Sequence, residues 1–170
     1  MIKIKTSTRR ATPQDGERIS AIYNQGIKGR MATFETRLRT PKEQESWLEE
    51  NQQRPAVVSI IDETIVGFAY AGEYRSRPCY KGVGEFSIYI DGKYRKLGIG
   101  KELLLSLIEE AEKLGYWKLV SRIFDFNDAS RNLCKSCGFR EVGIYQKHGK
   151  LDGSWIDCVI VEKLITENLD

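Results

Sequence analysis

The stretch that decides the fold runs from a strand into a helix and reads Ile88-Tyr89-Ile90-Asp91-Gly92-Lys93-Tyr94-Arg95-Lys96-Leu97-Gly98-Ile99-Gly100-Lys101. Successive backbone N–H groups in a glycine-containing turn that opens onto a helix N-terminus form an anion site. We expect Gly98 and Gly100 to let the backbone approach a ligand and to adopt φ angles that side chains would block. Arg95, Lys96 and Lys101 add positive charge around the turn. The segment therefore predicts a site for a phosphate-bearing ligand.

Two common phosphate-binding motifs do not fit this spacing. A P-loop requires Gly-x-x-x-x-Gly-Lys-Ser/Thr, but Lys101 is followed by Glu102, and no glycine lies five residues before Gly100. The dinucleotide fingerprint requires a third glycine three residues after the second, where this chain has Leu103. The turn thus resembles neither a nucleoside-triphosphate site nor an NAD site.

Strand and helix patterns alternate on both sides of this turn. Apolar alternation or short apolar runs predict strands over residues 3–12, 56–61, 65–71, 85–90, 119–124, 139–145 and 154–164. Capping signals predict helices that begin near Pro13 and Pro41, and apolar stripes predict helices over 98–114 and 128–137. This order predicts an α/β fold in which a mixed sheet carries helices on both faces.

The composition fits one globular domain and excludes several classes of protein. The chain has 170 residues, and its 27 Lys and Arg against 24 Asp and Glu give a net charge of +3. These charges form no long run of one sign, which argues against a DNA-binding arm or a polybasic membrane anchor. No apolar stretch is long enough to cross a bilayer, and the first residues lack the apolar block of a signal peptide. We expect a single cytoplasmic domain over residues 1–170, without a nucleic-acid or membrane partner.

The four cysteines do not point to a disulfide framework in a chain of this length. Cys134 and Cys137 form a CxxC pair at the end of a predicted helix, where the helix dipole disfavours thiolates. The one histidine, His148, leaves a zinc ligand set incomplete. We interpret the pair as buried thiols on an apolar helix face, with metal or redox chemistry as the weaker alternative, and we predict no metal site.

The turn resembles the acetyl-CoA loop of the GCN5-related N-acetyltransferases (GNAT), whose pattern is Arg/Gln-x-x-Gly-x-Gly/Ala. Residues 95–100 match every fixed position of it. The order of elements is also similar, as are Asn127 and Ser130 followed by Gly138-Phe139, which in that family lie along the pantetheine. The resemblance implies a GNAT fold in which a splayed central strand pair binds acetyl-CoA.

The same resemblance implies which residues hold acetyl-CoA. Main-chain groups of Ile88, Tyr89 and Ile90 would bind the pantetheine, with Asn127 and Ser130 beside it. The diphosphate would lie on the N–H groups of Leu97, Gly98, Ile99 and Gly100, with Arg95, Lys96 and Lys101 around it.

Within the superfamily, the chain is similar to the branch of phosphinothricin and methionine sulfoximine acetyltransferases. The residues that carry this likeness include Tyr23-Asn24, Thr33-Phe34, Arg75-Ser76, Glu85 and the segment 153–157. The likeness implies transfer to the α-amine of phosphinothricin, methionine sulfoximine, methionine sulfone or a related analogue such as arsinothricin. It also implies a homodimer and a role in resistance.

The branch pattern implies roles around the acceptor for Glu85, Phe34 and Arg75, and Arg77 lies on the same loop outside the matched pair Arg75-Ser76. Glu85 would be the general base, since an ammonium must lose its proton before it attacks a thioester. Phe34 would form an apolar wall over the acceptor. Arg75 and Arg77 would hold a carboxylate or phosphinate, because guanidinium groups bind such anions bidentately.

Three questions remain open at this point. Cys134 stands where this branch carries a histidine, so either the role of that histidine is dispensable, or Tyr145 or water protonates the departing thiolate. The acceptor could instead be a protein N-terminus or lysine. A non-catalytic acyl-CoA sensor is the alternative from a different class; it predicts cofactor binding without thiol release.

Overall fold

The structure of the chain is a computed structural model that describes residues 4–170. Its strands are β1 (Thr6–Arg10), β2 (Ala56–Ile61), β3 (Thr64–Glu73), β4 (Val83–Ile90), β5 (Lys118–Phe124), β6 (Arg140–Leu151) and β7 (Ser154–Leu164). Its α-helices are α1 (Gly16–Gly29), α2 (Pro41–Glu50), α3 (Ile99–Lys113) and α4 (Asp128–Ser136). This order confirms the predicted alternation of elements.

The strands form one sheet in the order β1-β2-β3-β4-β5-β7-β6. Neighbours are antiparallel, except that β4 and β5 run parallel. The parallel pair is joined only from Val83 and Lys118 to Glu85 and Val120, although β4 continues to Ile90 and β5 to Phe124. The sheet is therefore mixed and opens into a fork between its central strands, as the sequence predicts.

Helices cover both faces of the sheet. Leu103, Leu104 and Leu107 of α3 are fully buried on one face, in a cluster that includes Phe86 of β4. On the other face α1 and α2 pack in a cluster that includes Tyr89. Because side chains alternate along a strand, Glu85 and Ser87 lie on the same face as Tyr89, beneath α1. The fold thus places Glu85 on the α1 side of the fork.

The two N-terminal helices begin at the predicted capping signals. The Thr12 N–H donates to Asp15 Oδ2 over 2.8 Å at a short 3-10 turn before α1. The Thr40 N–H likewise donates to Glu43 Oε2 over 2.7 Å, and Thr40 Oγ1 accepts from the Glu43 N–H. These reciprocal contacts are capping boxes, which satisfy N–H groups that the start of a helix leaves unpaired.

Two predicted strand boundaries are wrong. Strand β1 covers only Thr6–Arg10 of the predicted 3–12, and Lys3 lies outside the described residues. Strand β6 continues past the predicted Tyr145 to Leu151, with an irregular register between Tyr145 and Gly149. Its polar second half lacks the alternation that marks a half-buried strand. It continues because Asp152 and Gly153, both with positive φ, form a tight hairpin turn to β7.

Among the residues that the structure describes, no helix combines the length and apolar character that a membrane crossing requires. The same residues include no cluster of three or more His, Cys, Asp or Glu side chains arranged to hold a metal ion.

Candidate active site

The fork between β4 and β5 opens a narrow channel through the sheet. It is lined by Phe86, Ser87, Ile88 and Tyr89 of β4, by residues 121–124 of β5, and by Ala32, Asn127, Ser130 and Cys134. At its base Ser121 Oγ donates a hydrogen bond to the Phe86 carbonyl oxygen over 2.9 Å. This hydroxyl takes the place of the next backbone hydrogen bond between β4 and β5. Beyond it, this edge of β4 is not paired with β5 and is available to an extended ligand.

The structure brings four of the predicted cofactor residues to this channel. Ile88 and Tyr89 line it, whereas the Ile90 side chain packs into the core, so only its main chain can serve a ligand. Asn127 and Ser130 also line it. The Asn127 side chain caps α4 by accepting from the Ser130 N–H, and it donates to the Met31 carbonyl, each over 3.1 Å. Asn127 therefore holds the channel wall to the loop after α1.

The glycine-containing turn has the predicted geometry at Gly98 but not at Gly100. Gly98 has φ +79°, and Lys96 has φ +62°, so two alternate residues adopt the left-handed conformation. Gly100 lies within helix α3, and a Cβ atom there would lie 3.3 Å from Leu133 Cδ2. The expected positive φ at Gly100 is therefore wrong. This position stays small because α4 packs closely against it.

The turn presents unpaired N–H groups and positive charge. Gly98 is the N-cap of α3 and offers no side chain to the first turn. Within residues 4–170, no loop carbonyl accepts a hydrogen bond from the N–H groups of residues 97–100. Arg95, Lys96 and Lys101 are exposed around them, while Ile99 is buried. Unpaired N–H groups at a helix start attract anions, and the residues present fit the diphosphate of coenzyme A.

A buried ion pair that the sequence did not predict fixes the start of this turn. Asp91 Oδ2 accepts from Arg18 Nη2 over 2.8 Å, and Asp91 Oδ1 accepts from the Lys93 N–H over 3.0 Å. The Gly92 N–H donates to Gln25 Oε1 over 2.9 Å. Burial acts to raise the pKa of Asp91, but the hydrogen bonds from Arg18 and the Lys93 N–H outweigh it and lower that pKa. Helix α1 thus holds the strand end from which the turn departs.

Beside the channel, a pocket of about 320 Å³ surrounds Glu85. Ser87 and Tyr89 of β4 and Ser121, Arg122 and Phe124 of β5 form its floor, and the loop 32–35 with His148 and Gly149 forms its walls. Several of these residues also line the channel, so the two spaces adjoin. Glu85 therefore lines a pocket that adjoins the channel.

The carboxylate of Glu85 is bound by Arg122, a partner that sequence reasoning missed. Arg122 Nε donates to Glu85 Oε1 over 2.9 Å, and Nη2 donates to the same oxygen. Arg122 Nη1 lies 3.3 Å from His148 Nε2. No signal in a single sequence joins two residues that are 37 positions apart; the parallel register of β4 and β5 brings them together.

Phe34 lies on one wall of the Glu85 pocket. Its ring packs edge-on against Phe124, with centroids 4.8 Å apart. It also lies over Gly149, where a Cβ atom would come within 2.7 Å of the ring. The neighbouring Glu35 forms an ion pair with Arg39 over 2.7 Å, which fixes the loop.

Arg75 and Arg77 lie outside the Glu85 pocket. They line a separate surface depression with Ser76 and Tyr80. The Arg75 guanidinium lies 5.2 Å from the ring centroid of Tyr74, and the phenols of Tyr74, Tyr80 and Tyr145 raise its pKa. Tyr145 in turn packs against His148 at 4.8 Å. Arg75 and Arg77 are therefore not among the residues that line the Glu85 pocket.

The cysteine that lines the channel, Cys134, has a buried thiol. Cys134 is buried, and burial, with Cys137 and Glu141 nearby, raises its pKa to about 12. Cys137 is also buried, and both residues lie at the end of α4 as predicted. A neutral, desolvated thiol is a poor nucleophile and a weak hydrogen-bond donor.

Comparison with known proteins assigns the family. The model described as "Acetyltransferase (GNAT) domain" matches residues 8–160. The chain belongs to the GNAT acetyltransferase family. It is an enzyme of the acetyl-transferring class, and acetyl-CoA is the acetyl donor in this family.

Relatives in this GNAT family resemble the chain over most of its length. The phosphinothricin N-acetyltransferase of Streptomyces viridochromogenes is 31% identical and covers 88% of this chain and 82% of the relative. The L-methionine sulfoximine/L-methionine sulfone acetyltransferase of Salmonella typhimurium is 28% identical, covering 94% and 95%. The phosphinothricin acetyltransferase of Sinorhizobium meliloti, solved with acetyl-CoA, is 27% identical with a TM-score of 0.87, covering 94% and 88%. The predicted family and fold are confirmed, and this GNAT chain resembles relatives that are named phosphinothricin and methionine sulfoximine acetyltransferases.

Proposed function

We propose that the chain transfers the acetyl group of acetyl-CoA to the α-amine of a small amino-acid-like acceptor. The acceptors are phosphinothricin, methionine sulfoximine, methionine sulfone and related toxic analogues such as arsinothricin, and their acetylation would give resistance. The observation that carries the proposal is the position of Glu85, which faces the pocket at the residue where β4 and β5 separate. The named relatives, which cover most of the chain, support the same class of acceptor.

Glu85 is the base that an amine acceptor needs. An ammonium group does not attack a thioester, so its proton passes to a carboxylate, directly or through water. Oε1 of Glu85 accepts the hydrogen bonds from Arg122. Within the described residues Oε2 has no hydrogen-bond partner, and it is the oxygen available to the ammonium.

The fork and the glycine-containing turn bind different parts of acetyl-CoA. Backbone groups of Ile88 and Ile90 face the fork and are not paired by β5, and they bind the pantetheine amides, whereas the main chain of Tyr89 is held in the ladder with β3. An N–H of this strand polarises the carbonyl. The N–H groups of residues 97–100 bind the diphosphate, with Arg95, Lys96 and Lys101 adding charge. When bound, acetyl-CoA supplies a thioester that is activated toward amines.

Transfer is direct, without an acetyl-enzyme. Cys134 is the one thiol among the described residues that line the channel, and burial raises its pKa to about 12. A thiol in that state requires a base to become reactive. The proton for the departing thiolate comes from water or from Tyr145, whose ring packs against His148 at the wall of the pocket.

An assay of coenzyme A thiol release tests the proposal. Phosphinothricin, methionine sulfoximine, methionine sulfone, ordinary amino acids and short peptides are offered as acceptors, each with acetyl-CoA. We expect release with one or more of the free anionic analogues. Release with peptides alone would instead indicate a protein acetyltransferase. Acetyl-CoA binding without release for any amine would indicate a sensor.

We also propose a homodimer formed through β6 and β7. Strand β6 is an edge of the sheet, and Val142, Ile144, Tyr145 and Trp155 expose 47%, 57%, 51% and 56% of their surface. Apolar surface of this kind on an exposed edge strand marks a protein interface. Sedimentation equilibrium should give twice the chain mass for the wild-type protein and the chain mass for Ile144→Lys. A monomeric wild-type protein would contradict the dimer.

The proposed location is the cytoplasm, where acetyl-CoA is available. All four cysteines are free, and Cys134, Cys137 and Cys158 are buried as thiols, which suits a reducing compartment. Fractionation of cells that express the chain tests this, and recovery outside the cytoplasm would contradict it.

A further inference from the structure

Arg122 is a charged side chain in an unusual place. It lies near the middle of β5, at the fork, and it lines both the acyl channel and the Glu85 pocket. Its side chain is 50% exposed, whereas that of Glu85 is 27% exposed. The Arg122 guanidinium thus lies at the inner wall of the pocket and is accessible to a ligand that enters the pocket.

The bond between Arg122 and Glu85 is one that an anion can replace. Two guanidinium nitrogens share the single oxygen Oε1, rather than meeting both carboxylate oxygens in the parallel arrangement that is strongest for this pair. The pair is also partly solvated, and exposed ion pairs contribute little to stability. A ligand carboxylate that meets the guanidinium with both oxygens therefore competes well for it.

An α-amino acid has the charges that this pair requires. Its ammonium and its carboxylate are attached to the same carbon, so they lie side by side, as Glu85 and Arg122 do. When such a zwitterion enters, its ammonium can pair with Glu85 and its carboxylate with Arg122, so that every charge keeps a partner of opposite sign. An amine without a carboxylate would instead leave Arg122 unpaired beside an added positive charge.

We infer that Arg122 is the receptor for the α-carboxylate of the acceptor. This inference rests on the proposed function and deepens it, because it restricts the acceptors to zwitterions. Binding of the carboxylate draws the guanidinium from Glu85 Oε1, and the freed carboxylate then accepts the proton of the ammonium. His148, 3.3 Å from Arg122 Nη1, positions the guanidinium. The depression with Arg75 and Arg77 remains for an anion at the far end of the acceptor side chain.

The test compares an amino acid with its carboxamide as acceptors, using L-methionine sulfone and its amide. Wild-type protein, Arg122→Met, Arg122→Lys and the control Arg140→Met are assayed for kcat/KM with each acceptor. Arg140 also forms an ion pair, with Glu162, and it lines neither the channel nor the pocket. Any change in Glu85 itself affects both acceptors and cancels in the ratio of their kcat/KM values.

We expect the wild-type protein to prefer the acid by about 10- to 100-fold, the contribution of a charge-assisted bidentate contact. Arg122→Met should abolish the preference, chiefly through the KM of the acid, Arg122→Lys should keep part of it, and Arg140→Met should keep all of it. A preference that survives in Arg122→Met would overturn the inference.

A binding measurement separates this inference from the proposed function. If the wild-type protein acetylates neither acceptor, the proposed function fails for them, and calorimetric titration of L-methionine sulfone in the presence of coenzyme A decides the role of Arg122. Binding to the wild-type protein that is lost in Arg122→Met supports the inference. Equal affinity for both proteins, or binding to neither, overturns it.

Discussion

The hydroxyl of Ser121 donates a 2.9 Å hydrogen bond to the carbonyl of Phe86, and this contact marks the point at which β4 and β5 separate. It satisfies a carbonyl that the diverging strand can no longer reach. A buried carbonyl without a partner costs free energy, so the hydroxyl stabilises the fork at its base.

Ser121→Ala should therefore loosen the fork. We expect the free energy of unfolding to fall by about 1 kcal/mol and the Kd for acetyl-CoA to rise several-fold. Chemical denaturation and calorimetry measure the two effects. Ser136→Ala is the matched control, because Ser136 also donates to a carbonyl, that of Leu133, away from the channel. An unchanged Kd in Ser121→Ala would contradict this role.

Replacing Glu85 tests the general base. Glu85→Gln keeps the shape of the side chain but cannot accept the ammonium proton, so kcat should fall by about 100- to 10,000-fold. The Kd for acetyl-CoA should remain within about twofold, since the proposed donor contacts are main-chain groups further along β4. Glu73→Gln, at the exposed end of β3, should leave kcat unchanged. Full activity in Glu85→Gln at neutral pH would contradict the role.

Gly98 tests the conformation of the diphosphate turn. Its φ of +79° is costly for any residue with a Cβ, although no atom would contact that Cβ within 4 Å. Gly98→Ala should therefore cost about 1 kcal/mol and weaken acetyl-CoA binding by distorting the N–H groups. Gly29→Ala, in the last turn of α1 and equally uncrowded, should be neutral or stabilising. Equal stability of both variants in thermal unfolding would be the contrary result.

Thiol labelling and the Cys134→Ser substitution distinguish direct acetyl transfer from transfer through an acetyl-enzyme. In the folded protein Cys79 is exposed, whereas Cys134, Cys137 and Cys158 are buried and burial raises the pKa of each. A thiol reagent near neutral pH should label one cysteine quickly and the other three only on unfolding, as counted by mass spectrometry. Cys134→Ser should retain kcat within a few-fold. Loss of activity in a folded Cys134→Ser protein would favour an acetyl-enzyme.

The ion pair between Arg18 and Asp91 predicts a loss of stability in acid. The folded-state pKa of Asp91 lies below its usual value of 3.8, so the folded protein binds its proton more weakly than the unfolded chain does. The resulting stability is present in full above that value and is lost as the pH falls through the lowered pKa. Asp91→Asn should remove about 1–2 kcal/mol at neutral pH and flatten the acid limb of stability against pH.

Asp170→Asn, at the exposed C-terminus, is the control for this measurement. Denaturant titrations from about pH 6 to pH 2 give the comparison. If the Asp91→Asn protein lost stability in acid as steeply as the wild-type protein, the pair would not be the source of that loss.

The sequence predicted the elements that depend on local pattern. The apolar stripe of α3, the capping boxes at Thr12 and Thr40, and the turn at residues 95–100 are each defined within a few residues, and the structure contains all of them. The predicted positive φ at Gly100 is wrong, because a different feature keeps this position small, namely the close packing of Leu133, which lies on another helix.

The contacts that complete the site depend on the register of the sheet and on helix packing. Glu85 meets Arg122 only because β4 and β5 pair up to Glu85 and Val120, and Asp91 meets Arg18 only because α1 crosses the end of β4. The second half of β6 is polar on both faces, so no alternation identified it as a strand. Single-sequence patterns carry no information on such pairs.

A structure of the protein with bound acetyl-CoA would show whether the fork and the turn bind it together. We expect the pantetheine between β4 and β5, the diphosphate on the N–H groups of residues 97–100, and the acetyl carbonyl on the Glu85 side of the fork. An acetyl-CoA molecule bound elsewhere, or with its acetyl group directed away from Glu85, would contradict the proposed function.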